Sequence, residues 1–239
     1  MNGAKIYAGT SGWAYASWKP DFYPAKLSAA KFLSYYATRL NSVEVNYTFR
    51  TIPKEDLLAR WIEATPPDFK FAIKAHQRIT HFKRLRDTAD ATTEFLDSLG
   101  PLRKAKKLGP VLFQLRDSFK CDVTLLKDFL KVLPRGTQAA FEFRDASWFC
   151  NEVYESLRKS NVALCQAESA DLETPAVETA DFSYLRLRKD TYSEASRAKV
   201  ANRVAGLVRR GDVFAYFKHE DTPEGALYAE QLLKKTRGS

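Results

Sequence analysis

Short β-rich runs recur along the chain, at 5–9, 42–46, 69–75, 110–115, 138–143, 161–166, 182–187 and 212–217. Most are rich in Val, Phe, Tyr or Ile and are bounded by Gly, Pro, Asp or Asn, a composition that suits a pleated ribbon between turns. Apolar stripes at helical spacing fill the intervals. They are Phe32, Leu33, Tyr36 and Leu40; Leu57, Leu58, Trp61 and Ile62; Phe95, Leu96 and Leu99; and Leu125, Leu126, Phe129, Leu130 and Leu133. Val153 with Leu157, Val200 with Val204, Leu207 and Val208, and Leu227 with Leu232 complete the set. Eightfold strand–helix alternation predicts a parallel sheet, and roughly 30 residues per unit fits an α/β fold of the closed (β/α)8 TIM-type barrel. The interval 168–180 contains Pro175 and no clear stripe, so the sixth helix is expected to be short or missing. No Gly/Ser linker or composition shift divides the chain, so residues 1–239 are expected to form a single barrel domain, with a core spanning about 5–235.

Alternation within the strands sorts side chains by face. Val43 and Val45 share one face and Glu44 and Asn46 the other; Phe69, Phe71 and Ile73 oppose Lys70, Ala72, Lys74 and His76. Val111, Phe113 and Leu115 oppose Leu112 and Gln114, and Phe141 and Phe143 oppose Glu142 and Arg144. Leu185 and Leu187 oppose Tyr184, Arg186 and Arg188; Ala215 and Phe217 oppose Tyr216 and Lys218. The apolar faces must meet the helices, so the polar set is expected inside the barrel at the C-terminal strand ends, where barrel enzymes carry their chemistry. An ion network that merely fills the lumen is the alternative.

The chain has 239 residues, is 45% hydrophobic and 28% charged, and carries a formal charge of +9. That excludes a disordered or fibrous chain. The basic balance is compatible with nucleic acid, acidic lipid or a phosphorylated metabolite. Cys121, Cys150 and Cys165 show no C-x-x-C spacing, which argues against a disulfide framework and a cysteine-rich zinc site. No secretory pattern opens the sequence and no apolar run approaches the roughly 20 residues of a membrane span, so a cytoplasmic protein without membrane association is expected. The sequence carries no signal for an oligomeric state.

The loops add detail. Gly9-Thr10-Ser11-Gly12-Trp13 follows the first strand and offers backbone N–H groups to an anion, although no Walker lysine follows. Residues 74–86 hold a dense run of Lys, Arg and His with no acid, readable as a solvated loop or as an anion-attracting rim. Gly9-Thr10-Ser11-Gly12-Trp13 with Phe22-Tyr23-Pro24 resembles the opening of the domain-of-unknown-function 72 family, the YecE-like proteins. Asn41-Ser42-Val43-Glu44-Val45-Asn46 with Thr48-Phe49 resembles its second strand. Thr65-Pro66-Pro67 through Lys74-Ala75-His76, with Ile79-Thr80-His81, resembles its third. Leu108-Gly109-Pro110-Val111-Leu112-Phe113-Gln114-Leu115, Phe141-Glu142-Phe143-Arg144 and Ser147-Trp148-Phe149 resemble its middle. The resemblance spans nearly the whole chain and implies a TIM-type barrel without an established activity. Many members end strand seven in Arg-Leu-His-Gly and strand eight in Phe-Asn-Asn. Here the segments read Arg186-Leu187-Arg188-Lys189 and Phe217-Lys218-His219-Glu220-Asp221, which alters one side of the mouth.

The expected catalytic residues are Glu44, Lys74, His76 and Glu142. The expected ligand-binding residues are Thr10, Ser11, Trp13, Asn46, Gln114, Arg144, Arg186, Lys218 and His219. Two inward carboxylates face four inward cations, Lys74, Arg144, Arg186 and Lys218, so the pocket should favour an anion. Arg144 and Arg186 would clamp a small phosphorylated or carboxylated molecule, and Glu142 or His76 would move a proton, as in a hydrolase or lyase. On this reading, replacing Arg186 by Met costs no more than roughly 1–2 kcal/mol of stability. No cofactor is expected and no metal ligand is assigned; a Mg²⁺ or Mn²⁺ site using Glu44, Glu142, Glu220 or Asp221 is the weaker alternative, opposed by the nearby cations. Two other classes stay open: a nucleic-acid-binding or processing protein using the basic mouth and its aromatics, and a non-catalytic metabolite-binding protein.

Overall fold

The computed structural model describes residues 3–168, 172–218 and 222–237. Eight parallel strands form the predicted TIM-type barrel: β1 (Ile6–Thr10), β2 (Ser42–Val45), β3 (Lys70–Lys74), β4 (Leu108–Gln114), β5 (Ala139–Glu142), β6 (Ala163–Ala167), β7 (Ser183–Leu187) and β8 (Val213–Phe217). Helices wrap them: α1 (Phe32–Arg39), α2 (Glu55–Glu63), α3 (Ala89–Ser98), α4 (Gly100–Lys104), α5 (Val123–Val132), α6 (Asn151–Lys159), α7 (Glu194–Leu207) and α8 (Glu224–Arg237). No helix lies between β6 and β7 among the described residues, where the sequence lacks an apolar stripe. Asp122 and Ser193 cap α5 and α7 by accepting from Leu125 N–H and Ser196 N–H, which fixes where those helices begin. No helix of the described residues is long and apolar enough to cross a membrane.

Strand parity divides the interior into two regions. Val43, Phe71, Val111, Phe113, Phe141, Leu185 and Ala215 pack outward with helix residues such as Leu58, Phe95, Phe129 and Leu157. The inward faces of the lower barrel carry Tyr7, Ala72, Leu112, Ala140, Cys165, Phe182 and Phe214, with Tyr7 stacked on Phe214 at 4.7 Å. Above this apolar plug the lumen turns polar. Glu44, Gln114, Glu142 and Arg186 are all buried, at positions of matching parity near the C-terminal strand ends.

The backbone ladder runs β1-β8-β7-β6-β5-β4-β3-β2, and none joins β1 to β2 among the described residues. Side chains bridge this seam. Asn41 Oδ1 accepts from Ala8 N–H at 2.9 Å, and its Nδ2 donates to the Ile6 carbonyl at 2.8 Å. The Tyr36 hydroxyl accepts from Thr10 N–H and donates to the Ser42 carbonyl, both at 2.9 Å. Four backbone groups at the seam, the Ala8 and Thr10 N–H and the Ile6 and Ser42 carbonyls, are thereby paired by side chains, as burial demands. Gly9 is required here for space: a Cβ would stand 1.9 Å from the Ser42 carbonyl oxygen.

Candidate functional site

The centre of the polar lumen is one guanidinium between two carboxylates. Arg186 donates from Nε to Glu44 Oε2 at 3.0 Å and from Nη2 to Glu44 Oε1 at 2.9 Å, a bidentate grip. Its third nitrogen, Nη1, donates to Glu142 Oε2 at 2.5 Å. Glu44 is completely buried and also accepts from the Tyr184 hydroxyl at 2.8 Å, Ser11 Oγ at 2.5 Å and Arg188 Nη2 at 2.9 Å. Burial alone would raise the Glu44 carboxyl; Arg186 and Arg188 overturn that and hold it well below the usual range. Burial likewise opposes ionisation of Glu142, but Arg186, Arg188 and the Gln114 amide lower it. Both groups are therefore ionised counter-charges.

A relay continues from Glu142 to the mouth. Gln114 Nε2 donates to Glu142 Oε1 at 2.8 Å, and Gln114 Oε1 accepts from Lys74 Nζ at 2.8 Å. The Lys74 ammonium lies 4.3 Å from the Phe49 ring centroid. Its partners are thus a neutral amide and a ring, with no carboxylate in contact among the described residues. Burial, reinforced by Arg186, pulls the Lys74 pKa down to about 8. His81 stands edge-on to the same Phe49 ring at 4.7 Å. Burial first, then the charges of Lys74, Arg116 and Arg144, depress His81 to about 4, so it is neutral at physiological pH; Asp117 opposes the shift. Arg116 and Arg144 are exposed at the rim, and neither forms an ion pair among the described residues.

The structure brings Ser11, Glu44, Lys74, Gln114, Glu142 and Arg186 into one connected network. Asn46 joins its edge by donating to the Ser11 carbonyl at 3.3 Å. Trp13 is half-buried beside it and packs edge-to-face on Trp61 at 5.4 Å. His76 is half-buried just beyond β3, where its Nδ1 accepts from Arg78 N–H at 3.3 Å. Thr10 faces the helix layer instead: its N–H is held by Tyr36 and its hydroxyl donates to the Gly12 carbonyl. The Gly9–Trp13 turn therefore uses the Thr10 amide inside the seam, and no anion cradle forms at that position. Lys218 pairs with Asp190 at 2.7 Å. His219, Glu220 and Asp221 lie outside the described residues. Glu142 takes Arg186 and not Arg144 as its partner, which leaves Arg144 open at the rim.

Arg186 departs most from expectation. Three of its nitrogens are engaged by buried carboxylates, so it is a structural hub, and replacing it would cost far more than roughly 1–2 kcal/mol. Tyr184 and Arg188 stand on the inward face that alternation predicts but outside the expected catalytic and ligand-binding sets, as do His81 and Arg116. Tyr184 and Arg188 share Arg186's strand parity, so alternation carried that signal. His81 and Arg116 sit beyond the strands, where no periodicity orients a side chain. Among the described residues no three His, Cys, Asp or Glu side chains are grouped so as to hold a metal ion.

Beside the charged lumen, a cavity of about 660 Å³ opens between the β1–α1 and β2–α2 connections and α2. Ser11 and Asn46 form part of its wall.

Relatives share this arrangement at the level of the fold. The chain is 32% identical over 157 residues to the UPF0759 protein YunF of Bacillus subtilis, covering 63% of this chain and 54% of that protein. It is 33% identical over 145 residues to the UPF0759 protein YecE of Escherichia coli K12, covering 60% of this chain and 50% of that protein. The chain thus spans about half the length of the curated relatives it matches. A crystal structure of a DUF72 family protein from Thermotoga maritima superposes with a TM-score of 0.87 at 28% identity, covering 98% of this chain and all of that one (100%). Another, from Enterococcus faecalis, gives a TM-score of 0.81 at 20% identity, over 96% of this chain and 95% of that one, and so speaks for the fold alone. The family model described as "Protein of unknown function DUF72" matches residues 7–239, and the chain belongs to that family.

Proposed function

We propose that the barrel mouth binds a small phosphorylated or carboxylated molecule and that the protein is an enzyme using acid–base chemistry on it. One observation carries this reading. Lys74, Arg116 and Arg144 all act electrostatically on His81, with Asp117 as the one opposing charge named there, and none of the three cations has an ion-pair partner among the described residues. The lumen carboxylates Glu44 and Glu142 do act on Lys74, but Arg186 and Arg188, which they already engage, offset them. A cleft with such an excess of positive charge and low-dielectric walls concentrates anions.

The roles follow from the geometry. Arg144 and Arg116 offer planar forks suited to phosphate or carboxylate oxygens. Lys74, with its pKa near 8, is the group that can carry charge to the ligand and also give up a proton near neutral pH. His81, depressed to about 4 and so neutral, is suited to offering the ligand a hydrogen bond rather than to taking its proton, and His76 is the other imidazole near the mouth. Glu44 and Glu142, held ionised and buried, position Arg186 and, through Gln114, Lys74. The test is calorimetric titration of wild type, Lys74→Met and Arg144→Met with inorganic phosphate and small carboxylates. Binding by wild type and loss in both variants supports the reading; no binding by wild type sinks it.

A second reading, nucleic-acid binding, draws on Tyr47 and Phe82. They remain 50% and 68% exposed on the loops after β2 and β3, beside basic residues. Steeply salt-dependent binding of single-stranded RNA would move this reading ahead.

A further inference from the structure

We infer that the cavity beside the mouth is the subsite for a flat ring on that same ligand, so that the ligand class is a small anion bearing an aromatic heterocycle, as in a nucleoside monophosphate. The inference rests on the anion reading above and narrows it.

The walls are the first argument. Trp13, Tyr15, Tyr47 and Trp61 come from three separate segments yet line one cavity. Trp13 and Trp61 are perpendicular, with an interplanar angle of 90°, and so form a corner of aromatic surface. Trp61 is itself buried and stacked on Phe71, so it backs Trp13, and the half-buried Trp13 and half-exposed Tyr47 offer the surface on which a planar ring can stack or pack edge-on. Tyr47 is 50% exposed, although buried tyrosines are common elsewhere in this barrel. The cavity volume of about 660 Å³ falls in the range of small-molecule sites and accommodates a nucleoside-sized group.

Continuity with the charged mouth is the second argument. Ser11 lines the cavity and also bonds both Glu44 and Arg188. Tyr47 and Phe49 belong to one short helical turn, Tyr47–Phe49. Tyr47 lines the cavity, while Phe49 lies under the Lys74 ammonium. A ring against Tyr47 and an anionic group at Lys74 would therefore be held by neighbouring residues of a single short turn. The outer rim carries Lys54, Asp56 and Arg60, all exposed and without ion pairs among the described residues, a further positive excess facing the ligand.

The experiment compares adenosine monophosphate and uridine monophosphate with ribose 5-phosphate, adenosine and inorganic phosphate, read by tryptophan fluorescence quenching and calorimetry. At least one nucleotide should bind ten-fold or more tightly than ribose 5-phosphate. Tyr47→Ala should remove most of that margin while phosphate affinity stays unchanged, and Trp13→Ala should act in the same direction. Tyr47 is half exposed, so its variant keeps the fold, which circular dichroism verifies. If both nucleotides bind no better than ribose 5-phosphate while phosphate still binds, the ring subsite is wrong and the anion site stands. If adenosine binds as well as its monophosphate and phosphate does not bind, the ring subsite stands and the anion site is wrong. If none of the five binds, both fail.

Discussion

Arg186 and Glu44 are joined by two hydrogen bonds, Nε to Oε2 at 3.0 Å and Nη2 to Oε1 at 2.9 Å, inside a lumen where Glu44 has no solvent exposure. The same guanidinium holds Glu142 from the opposite side. Three strands are thereby tied at one point.

Breaking this hub should be costly. Arg186→Met leaves two buried carboxylates without their main partner, and a loss of about 3–5 kcal/mol is expected in chemical unfolding. Adding Glu44→Gln and Glu142→Gln should recover part of that loss, since no carboxylate then remains uncompensated. An Arg186→Met protein as stable as wild type would contradict the structural role.

Acid stability should depend on Glu44. Its pKa is lower in the folded protein than in the unfolded chain, so its contribution is present above about pH 4.3 and is lost as pH falls below that value toward the folded pKa. Wild type should therefore lose stability between pH 4 and the lowest accessible pH more steeply than Glu44→Gln, at the order of magnitude of one buried titrating group. Urea unfolding at a series of acidic pH values measures the two slopes; equal slopes would contradict the assignment.

Lys74 gives a slope of the same sign, but in the alkaline range. Its folded pKa of about 8 lies below the ordinary lysine value of about 10.4, so between these limits the unfolded chain binds more protons. Stability should rise across that window in wild type relative to Lys74→Met. Parallel pH profiles for the two proteins would show that Lys74 titrates normally.

The barrel seam is a separate test of the fold. Asn41→Ala strips partners from the Ala8 N–H and the Ile6 carbonyl at once, and should cost about 1–3 kcal/mol. Hydrogen exchange at Ala8 should accelerate relative to the β4 amides. Unchanged protection there would mean that the seam closes without Asn41.

Much of this architecture was legible in the chain, for identifiable reasons. All eight strands followed from β-rich runs between turn residues, and the inward orientation of Glu44, Gln114, Glu142 and Arg186 followed from alternation alone. The lack of a helix after β6 among the described residues followed from Pro175 and a missing stripe. Parity fixes a side chain's face but not its partner, so the commitment of Arg186 to two carboxylates was invisible. The Lys218–Asp190 pair and the convergence of Arg116, Arg144 and His81 depend on loop geometry, which carries no period. Thr10 shows the converse: its motif suggested an anion cradle, whereas its place on the outward face of β1 gives it to Tyr36.

The central claim is that the mouth binds an anion through Lys74 and the rim arginines. The most direct measurement is phosphate binding by calorimetry at pH 7 and at pH 9.5, on wild type and Lys74→Met. Wild type should bind at pH 7 and weaken by roughly ten-fold at pH 9.5 as Lys74 loses its proton, while Lys74→Met should be weak at both. Equal affinity at the two pH values in wild type, or equal affinity in wild type and Lys74→Met, would contradict the account.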